Sequence, residues 1–211
     1  MKKLFNKVKL IPVAICVFIF FFSYIIRINL GIPFFLILLY LSFYKKFIKI
    51  KIAGLANLAF LYLVSVCLGY YLINQGFSYY FIPVAIIPML SVLLFNNLET
   101  AYFLSLGTSV SLAFLSPEPF KAWFIFMTSC ACAIPLVSQA RKRSQVIQAG
   151  MFAGILQLIS LILLEHFWIN HPQRYLVILI NGLLSGVITL GVLPLFEYIL
   201  QTVTNISLLE L

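Results

Sequence analysis

Apolar residues fall in long blocks along the chain, and short polar or basic segments separate the blocks. An α-helix needs about 17–25 apolar residues to cross a bilayer. Eight blocks approach or reach that length, at residues 10–26, 30–44, 53–73, 79–95, 99–115, 122–140, 146–168 and 175–200. The pattern predicts an all-α fold, a polytopic transmembrane helix bundle of about eight spans.

The first two blocks are open to two interpretations. The basic start followed by residues 10–26 is similar to a secretory signal peptide, but no small-residue cleavage site follows it. Gly31 and Pro33 favour a break in the middle of residues 10–44, and therefore an uncleaved hairpin of two short spans. One long tilted helix is the alternative.

Composition supports a membrane location. The 211 residues are 64% hydrophobic and 9% charged, whereas soluble domains average about 45–50% apolar and 25% charged residues. The net charge of +9 comes from short basic runs between apolar blocks rather than from one basic face. We therefore expect contact with a lipid bilayer and no binding of nucleic acid.

Lysines and arginines also predict the orientation. With eight spans and a cytoplasmic N-terminus, eleven of them lie inside and only Arg27, Lys121 and Arg174 lie outside. This positive-inside bias arises only if an even number of spans separates the basic clusters. We expect a bacterial cytoplasmic (inner) membrane protein, multi-pass, with both termini in the cytoplasm.

Few polar groups lie deep in the predicted spans. The chain contains no Asp, and the absence of deep charges argues against proton or sodium coupling. Gln157 and Asn181 are the deepest amides, and we interpret them as interhelical hydrogen-bonding groups. The pairs Gly150/Gly154 and Gly182/Gly186 allow close helix approach, but depth counting puts them in different leaflets, so each pair is expected to pack on a different neighbour.

Two candidate metal sites are considered and set aside. Cys130 and Cys132 are two residues apart, so they point to nearly opposite sides of a helix and make a poor ligand pair. Glu165, His166 and His171 share one short loop, but their spacing matches no zinc motif. We therefore predict no metal site, no cofactor and no catalytic residue.

The C-terminal block continues beyond a bilayer thickness. A helix from Tyr175 to Val203 would be about 43 Å long, and Pro194 can kink it near the membrane surface. Residues 207–210 then match the S-x-x-E capping box that begins a helix. On this evidence the chain is expected to be truncated where a cytoplasmic segment starts.

Several short motifs together point to a known family. They are Ile82-Pro83-Val84-Ala85, Arg141-Lys142-Arg143-Ser144 with Ala149-Gly150, Asn181-Gly182-Leu183-Leu184-Ser185-Gly186, Leu193-Pro194-Leu195-Phe196-Glu197 and Leu208-Leu209-Glu210-Leu211. In this order and spacing, residues 30–211 resemble the membrane region of the seven-transmembrane HD-domain phosphohydrolases.

The resemblance implies a domain organisation and a function. Residues 1–29 would form the basic N-terminus and a first span, residues 30–204 a seven-helix membrane domain, and residues 205–211 the start of a truncated linker. The chain would be the membrane sensor or anchor of an enzyme whose full-length relatives carry a metal-dependent cyclic di-AMP phosphodiesterase domain. That domain's His-Asp motif has no counterpart here.

By the resemblance, this chain alone is not an enzyme, and a separate or downstream HD domain is its expected partner. The alternative is a small-molecule binding or transport subunit, such as the substrate-capture component of a vitamin importer. That class predicts an outward pocket with aromatic residues such as Trp168 and Tyr175. The sequence leaves the signal sensed and the oligomeric state open.

Overall fold

A computed structural model describes residues 52–165, 172–200 and 204. Within these ranges the fold is helical and has no strand. The helices are α1 (Ile52–Asn74), α2 (Ile86–Phe95), α3 (Leu98–Ala113), α4 (Pro119–Ser138), α5 (Arg143–Leu164) and α6 (Pro172–Leu200), and a 3-10 turn at Tyr79–Phe81 precedes α2.

Four of these helices, α1, α4, α5 and α6, are long and apolar enough to cross a membrane. Helices α2 and α3 are shorter, with 10 and 16 residues. Many large apolar side chains face outward, among them Leu163, Leu176 and Leu195, each more than half exposed. An exposed surface with so many apolar side chains is stable in contact with lipid acyl chains but not with water. The predicted all-α membrane bundle is therefore confirmed, while the blocks at 10–26 and 30–44, and with them the count of eight spans, lie outside the described residues.

Consecutive helices run in alternating directions, so the bundle has two ends. We call one the Glu165 end, where α1, α3 and α5 finish and α4 and α6 begin. The other is the Arg141 end, where the α2–α3 and α4–α5 turns lie. At that end Asn96 adopts a left-handed conformation, and the Asn97 side chain accepts a hydrogen bond from the Glu99 backbone N–H at 2.9 Å. These two asparagines let α2 end and α3 begin within two residues.

The predicted span at 79–95 is not one continuous helix. The chain makes a 3-10 turn at Tyr79–Phe81, becomes extended at Ile82 and re-forms a helix only at Ile86. Pro83 accounts for the break, because proline lacks a backbone donor and disfavours helical geometry in the residue before it.

The glycine pairs contact each other, so the expectation that they pack on different neighbours is wrong. A Cβ on Gly154 would lie 2.9 Å from Gly182 Cα, and a Cβ on Gly150 would lie 2.7 Å from the Gly186 backbone nitrogen. The cause is the position of the helix ends. Helix α5 ends at Leu164 rather than Trp168, and α6 begins at Pro172 rather than Tyr175, which brings the two pairs to matching depths.

Hydrogen bonds join other helices across the buried interior. The Tyr62 hydroxyl on α1 and the Ser111 hydroxyl on α3 lie 2.6 Å apart, and Ser160 on α5 donates to the Thr128 hydroxyl on α4 at 2.9 Å. Helix α6 continues through Pro194 to Leu200, and the Glu197 carboxylate accepts a hydrogen bond from the Thr204 backbone N–H at 2.9 Å.

Candidate functional site

A cavity of about 320 Å³ lies at the Glu165 end. Its volume is at the lower limit of small-molecule sites, which occupy roughly 300–1,000 Å³. The wall comes from the α1 end, the 3-10 turn, the α3–α4 loop and the start of α6, and consists of Ile73, Phe77, Ser78, Tyr79, Tyr80, Leu115, Ser116, Pro117, Glu118 and Arg174.

The broken segment before α2 forms one side of this cavity, and Asn181 holds it in place. The Asn181 side-chain amide on α6 donates to the backbone oxygens of Tyr80 and Ile82, both at 2.9 Å. All three residues are at most 5% exposed. Non-helical backbone inside a membrane protein persists where other groups satisfy its hydrogen bonds, and Asn181 supplies two of them. The predicted structural role of this amide is thus seen, with the broken segment as its partner.

Two tyrosines at the cavity wall form a hydrogen-bonded pair with their rings inclined at 38°. The rings of Tyr79 and Tyr80 have centroids 4.2 Å apart, and the Tyr79 hydroxyl donates to the Tyr80 hydroxyl at 2.7 Å. The Glu118 carboxylate lies 3.5 Å from the Tyr79 hydroxyl. The pair therefore contributes two aromatic rings and their hydroxyl groups to the cavity wall.

Four charged residues at the Glu165 end form a network, and two of them, Glu118 and Arg174, line the cavity. Lys121 lies 2.7 Å from the Glu165 carboxylate and 3.4 Å from Glu118. Arg174 lies 3.8 Å from Glu165. The Tyr175 hydroxyl donates to Glu165 at 2.8 Å. Glu165 is thus the centre of the network and links α4, α5 and α6.

This environment keeps Glu165 ionised. Burial favours the neutral carboxyl, but hydrogen bonds from Lys121 and Tyr175, together with the charge of Arg174, outweigh that effect. The net result is a pKa of Glu165 below the ordinary glutamate value. The carboxylate is therefore a fixed negative charge at neutral pH.

The candidate metal ligands considered above are only partly described. Glu165 is engaged by Lys121 and Tyr175, while His166 and His171 lie outside the described residues. Within the described ranges no group of three or more His, Cys, Asp or Glu side chains is placed to hold a metal ion.

The other residues singled out in the sequence are spread through the bundle. Gln157 is buried on α5. Cys130 is buried and Cys132 half-buried on α4, as their opposite directions require. Tyr175, expected at a pocket, contacts Glu165 beside the cavity instead of lining it, and Trp168 lies outside the described residues.

Sequence reasoning missed most of the cavity wall, including Tyr79, Tyr80, Glu118 and Arg174. The useful signal was Pro83, four residues into the block at 79–95, because a proline there marks a break in the span. Reading that block as one helix concealed the turn that forms the cavity.

The apolar spans and buried helix contacts define a polytopic α-helical membrane protein. No curated protein and no solved structure matches the chain at a significant level. A family model described as "7TM receptor with intracellular HD hydrolase" matches residues 10–204. The chain therefore belongs to this family, through its membrane region.

Proposed function

We propose that this chain is the membrane sensor and anchor of a seven-transmembrane HD-type, metal-dependent phosphohydrolase. Full-length enzymes of this type would hydrolyse cyclic di-AMP, and this chain itself would carry no catalytic residue. The family match over residues 10–204 supports the assignment. The absence of Asp from the sequence supports the inactivity of the chain alone, because the His-Asp metal motif needs that residue.

The observation that carries the sensor role is the Asn181 contact. Tyr80 belongs to the cavity wall, and its backbone oxygen is bonded to α6 through Asn181. Helix α6 then runs without interruption to Leu200 at the Arg141 end. A ligand that moves the wall at Tyr80 thereby moves the helix that leads toward the C-terminus.

The proposed location is the bacterial cytoplasmic membrane, with the Arg141 end and both termini in the cytoplasm. The exposed run Arg141-Lys142-Arg143 at that end supports this orientation. The proposed partner is an HD phosphohydrolase domain on the cytoplasmic side, either following this region or encoded separately.

Hydrolysis of cyclic di-AMP with Mn²⁺ tests both parts of the proposal. The purified chain alone should give no turnover, and any turnover by it would contradict the claim of inactivity.

An HD domain of the family fused after Leu211 should be active in lipid nanodiscs. Asn181→Ala should change its rate at least threefold, whereas Gly191→Ala, at an open position of α6, should not. Equal rates for wild type, both variants and the isolated soluble domain would exclude the sensor role.

One observation favours a second candidate function. The cavity of about 320 Å³ also suits a small-molecule binding or transport subunit. Titration of the purified chain with thiamine, riboflavin and biotin tests it. Submicromolar binding of any of the three would favour this class, and failure of all three at millimolar concentration would remove it.

A further inference from the structure

Glu118 and Arg174, the two charged residues of the cavity wall, are more exposed than Lys121 and Glu165 and make longer ion pairs. Lys121 and Glu165 are only 2.7 Å apart, and their side chains are 20% and 17% exposed. Glu118 is 58% exposed and lies 3.4 Å from Lys121. Arg174 is 45% exposed and lies 3.8 Å from Glu165. A ligand in the cavity therefore meets one accessible carboxylate and one accessible guanidinium.

The rest of the wall is largely apolar. Phe77, Leu115 and the Tyr79/Tyr80 pair line the same space, and their aromatic and aliphatic side chains offer contact area to an apolar group. The ligand that matches this wall has a compact apolar body with a positive and a negative group close together.

We propose that the cavity binds an α-amino acid with an aromatic or branched apolar side chain. Its carboxylate would bind the Arg174 guanidinium, whose planar donors suit a carboxylate, and its ammonium group would bind the Glu118 carboxylate. A simple anion of similar shape is repelled by Glu118, and a simple cation by Arg174. This assignment rests on the proposed sensor function, for which it names the ligand class.

Three matched compounds test the charge requirement: L-phenylalanine, the cation phenylalaninamide and the anion N-acetylphenylalanine. Calorimetric titration uses the full chain in phosphatidylcholine/phosphatidylglycerol nanodiscs, whose lipids carry no primary amine. Phenylalanine should bind at least tenfold more tightly than either analogue. Absence of phenylalanine binding at millimolar concentration, or equal binding of all three compounds, would overturn the proposal.

Two variants assign the groups. Glu118→Gln should weaken phenylalanine binding at least tenfold and remove its advantage over N-acetylphenylalanine. Arg174→Gln should weaken it similarly and remove the advantage over phenylalaninamide. Arg141→Gln, at the opposite end, is the matched control and should bind as wild type. Each variant should lose selectivity against a different analogue, whereas unfolding of the protein would weaken the binding of all three compounds together. Unchanged selectivity in both variants contradicts the assignment.

A zwitterionic lipid headgroup shares the ammonium and anionic chemistry, so O-phosphoethanolamine is included as a competitor. It lacks the apolar body and should not displace phenylalanine. Displacement at lower concentration than phenylalanine itself would identify a lipid headgroup and overturn the amino-acid assignment. Phenylalanine binding that leaves the fused HD domain's rate unchanged would instead contradict the sensor function alone.

Discussion

Asn181 shows how a single uncharged amide makes a broken helix tolerable inside a membrane bundle. The break at residues 78–85 interrupts the helical hydrogen bonds, and Tyr80 and Ile82 are buried away from solvent. One side-chain nitrogen supplies hydrogen bonds to the backbone oxygens of both residues. An amide provides the donors without the cost of a buried charge.

Replacement of Asn181 by alanine should lower the free energy of unfolding by about 1–3 kcal/mol, because the buried Tyr80 oxygen loses its donor and the Ile82 oxygen keeps only the Val84 backbone N–H. Thermal unfolding in nanodiscs measures the change. Ser185→Ala on the same helix is the control, since the Ser185 hydroxyl bonds only the Asn181 backbone oxygen of its own helix in the contacts seen. A loss for Asn181→Ala no larger than that for Ser185→Ala would refute this account.

Glu165 should make stability depend on pH in the acid range. Its pKa is lowered in the folded state, so its contribution is complete above the unfolded-state pKa and is lost as pH falls through the lower folded-state pKa. The unfolding temperature of the wild type should therefore fall more steeply on acidification than that of Glu165→Gln. The two unfolding temperatures should converge at the lowest pH.

Glu99→Gln is the matched control for this pH effect, because Glu99 is an exposed carboxylate at the other end of the bundle. The acid profile of wild type should be altered less by Glu99→Gln than by Glu165→Gln. Parallel profiles for wild type and Glu165→Gln would show that the network does not favour the ionised carboxylate.

At the scale of elements, the contact between α5 and α6 depends on residues with no side chain. The backbones approach so closely at Gly150, Gly154, Gly182 and Gly186 that a Cβ on any of them meets the opposite backbone within 3 Å. Small residues at such crossings gain dispersion contacts and are typical of helix pairs in lipid. The two helices therefore form the most closely fitted pair described in this bundle.

Gly182→Ala should lower the free energy of unfolding by about 1–3 kcal/mol, because the new methyl group forces the two backbones apart. Gly191→Ala lies on the same helix with nothing within 4 Å, and it should be neutral or stabilise by up to about 1 kcal/mol through helix propensity. Thermal unfolding of both variants in the same nanodiscs gives the comparison. Equal effects would mean that helix propensity, not the crossing, governs position 182.

The elements also show where sequence reasoning succeeded and where it stopped. Apolar block length located α1, α4, α5 and α6, because the bilayer imposes that length on a spanning helix. The glycine contact was misjudged because shifts of three or four residues at the ends of α5 and α6 change the depth of every residue along them. Hydropathy records average apolarity, and it could not locate a tertiary contact such as Asn181 to Tyr80.

At the scale of the whole molecule, charge distribution and helix direction make one prediction about orientation. The Arg141 end carries the exposed Arg141-Lys142-Arg143 run, and cytoplasmic loops are enriched in such residues. The Glu165 end, with the cavity, should therefore face the outside. The family match extends to residues 10–204, but orientation is a separate question that an accessibility measurement answers.

Single cysteines in a chain with Cys16, Cys67, Cys130 and Cys132 replaced by alanine test the orientation. Pro117→Cys, at an exposed loop position, should react with a membrane-impermeant maleimide in intact cells. Lys142→Cys should react only after the membrane is permeabilised. The reverse labelling pattern would show that the bundle has the opposite orientation and that the cavity faces the cytoplasm.

In the proposed sensor, helix α6 would act as a lever. Its 29 residues correspond to a rod of about 43 Å, of which about 24 Å lies between the α5 crossing and Leu200, so a tilt of about 5° around that crossing displaces the far end by about 2 Å. Gly182 and Gly186 bring the backbone of α5 against this rod along its middle, which gives the tilt a fulcrum. A movement of the cavity end would therefore reach the opposite end reversed in direction and slightly larger, because the arm beyond the glycines is the longer one.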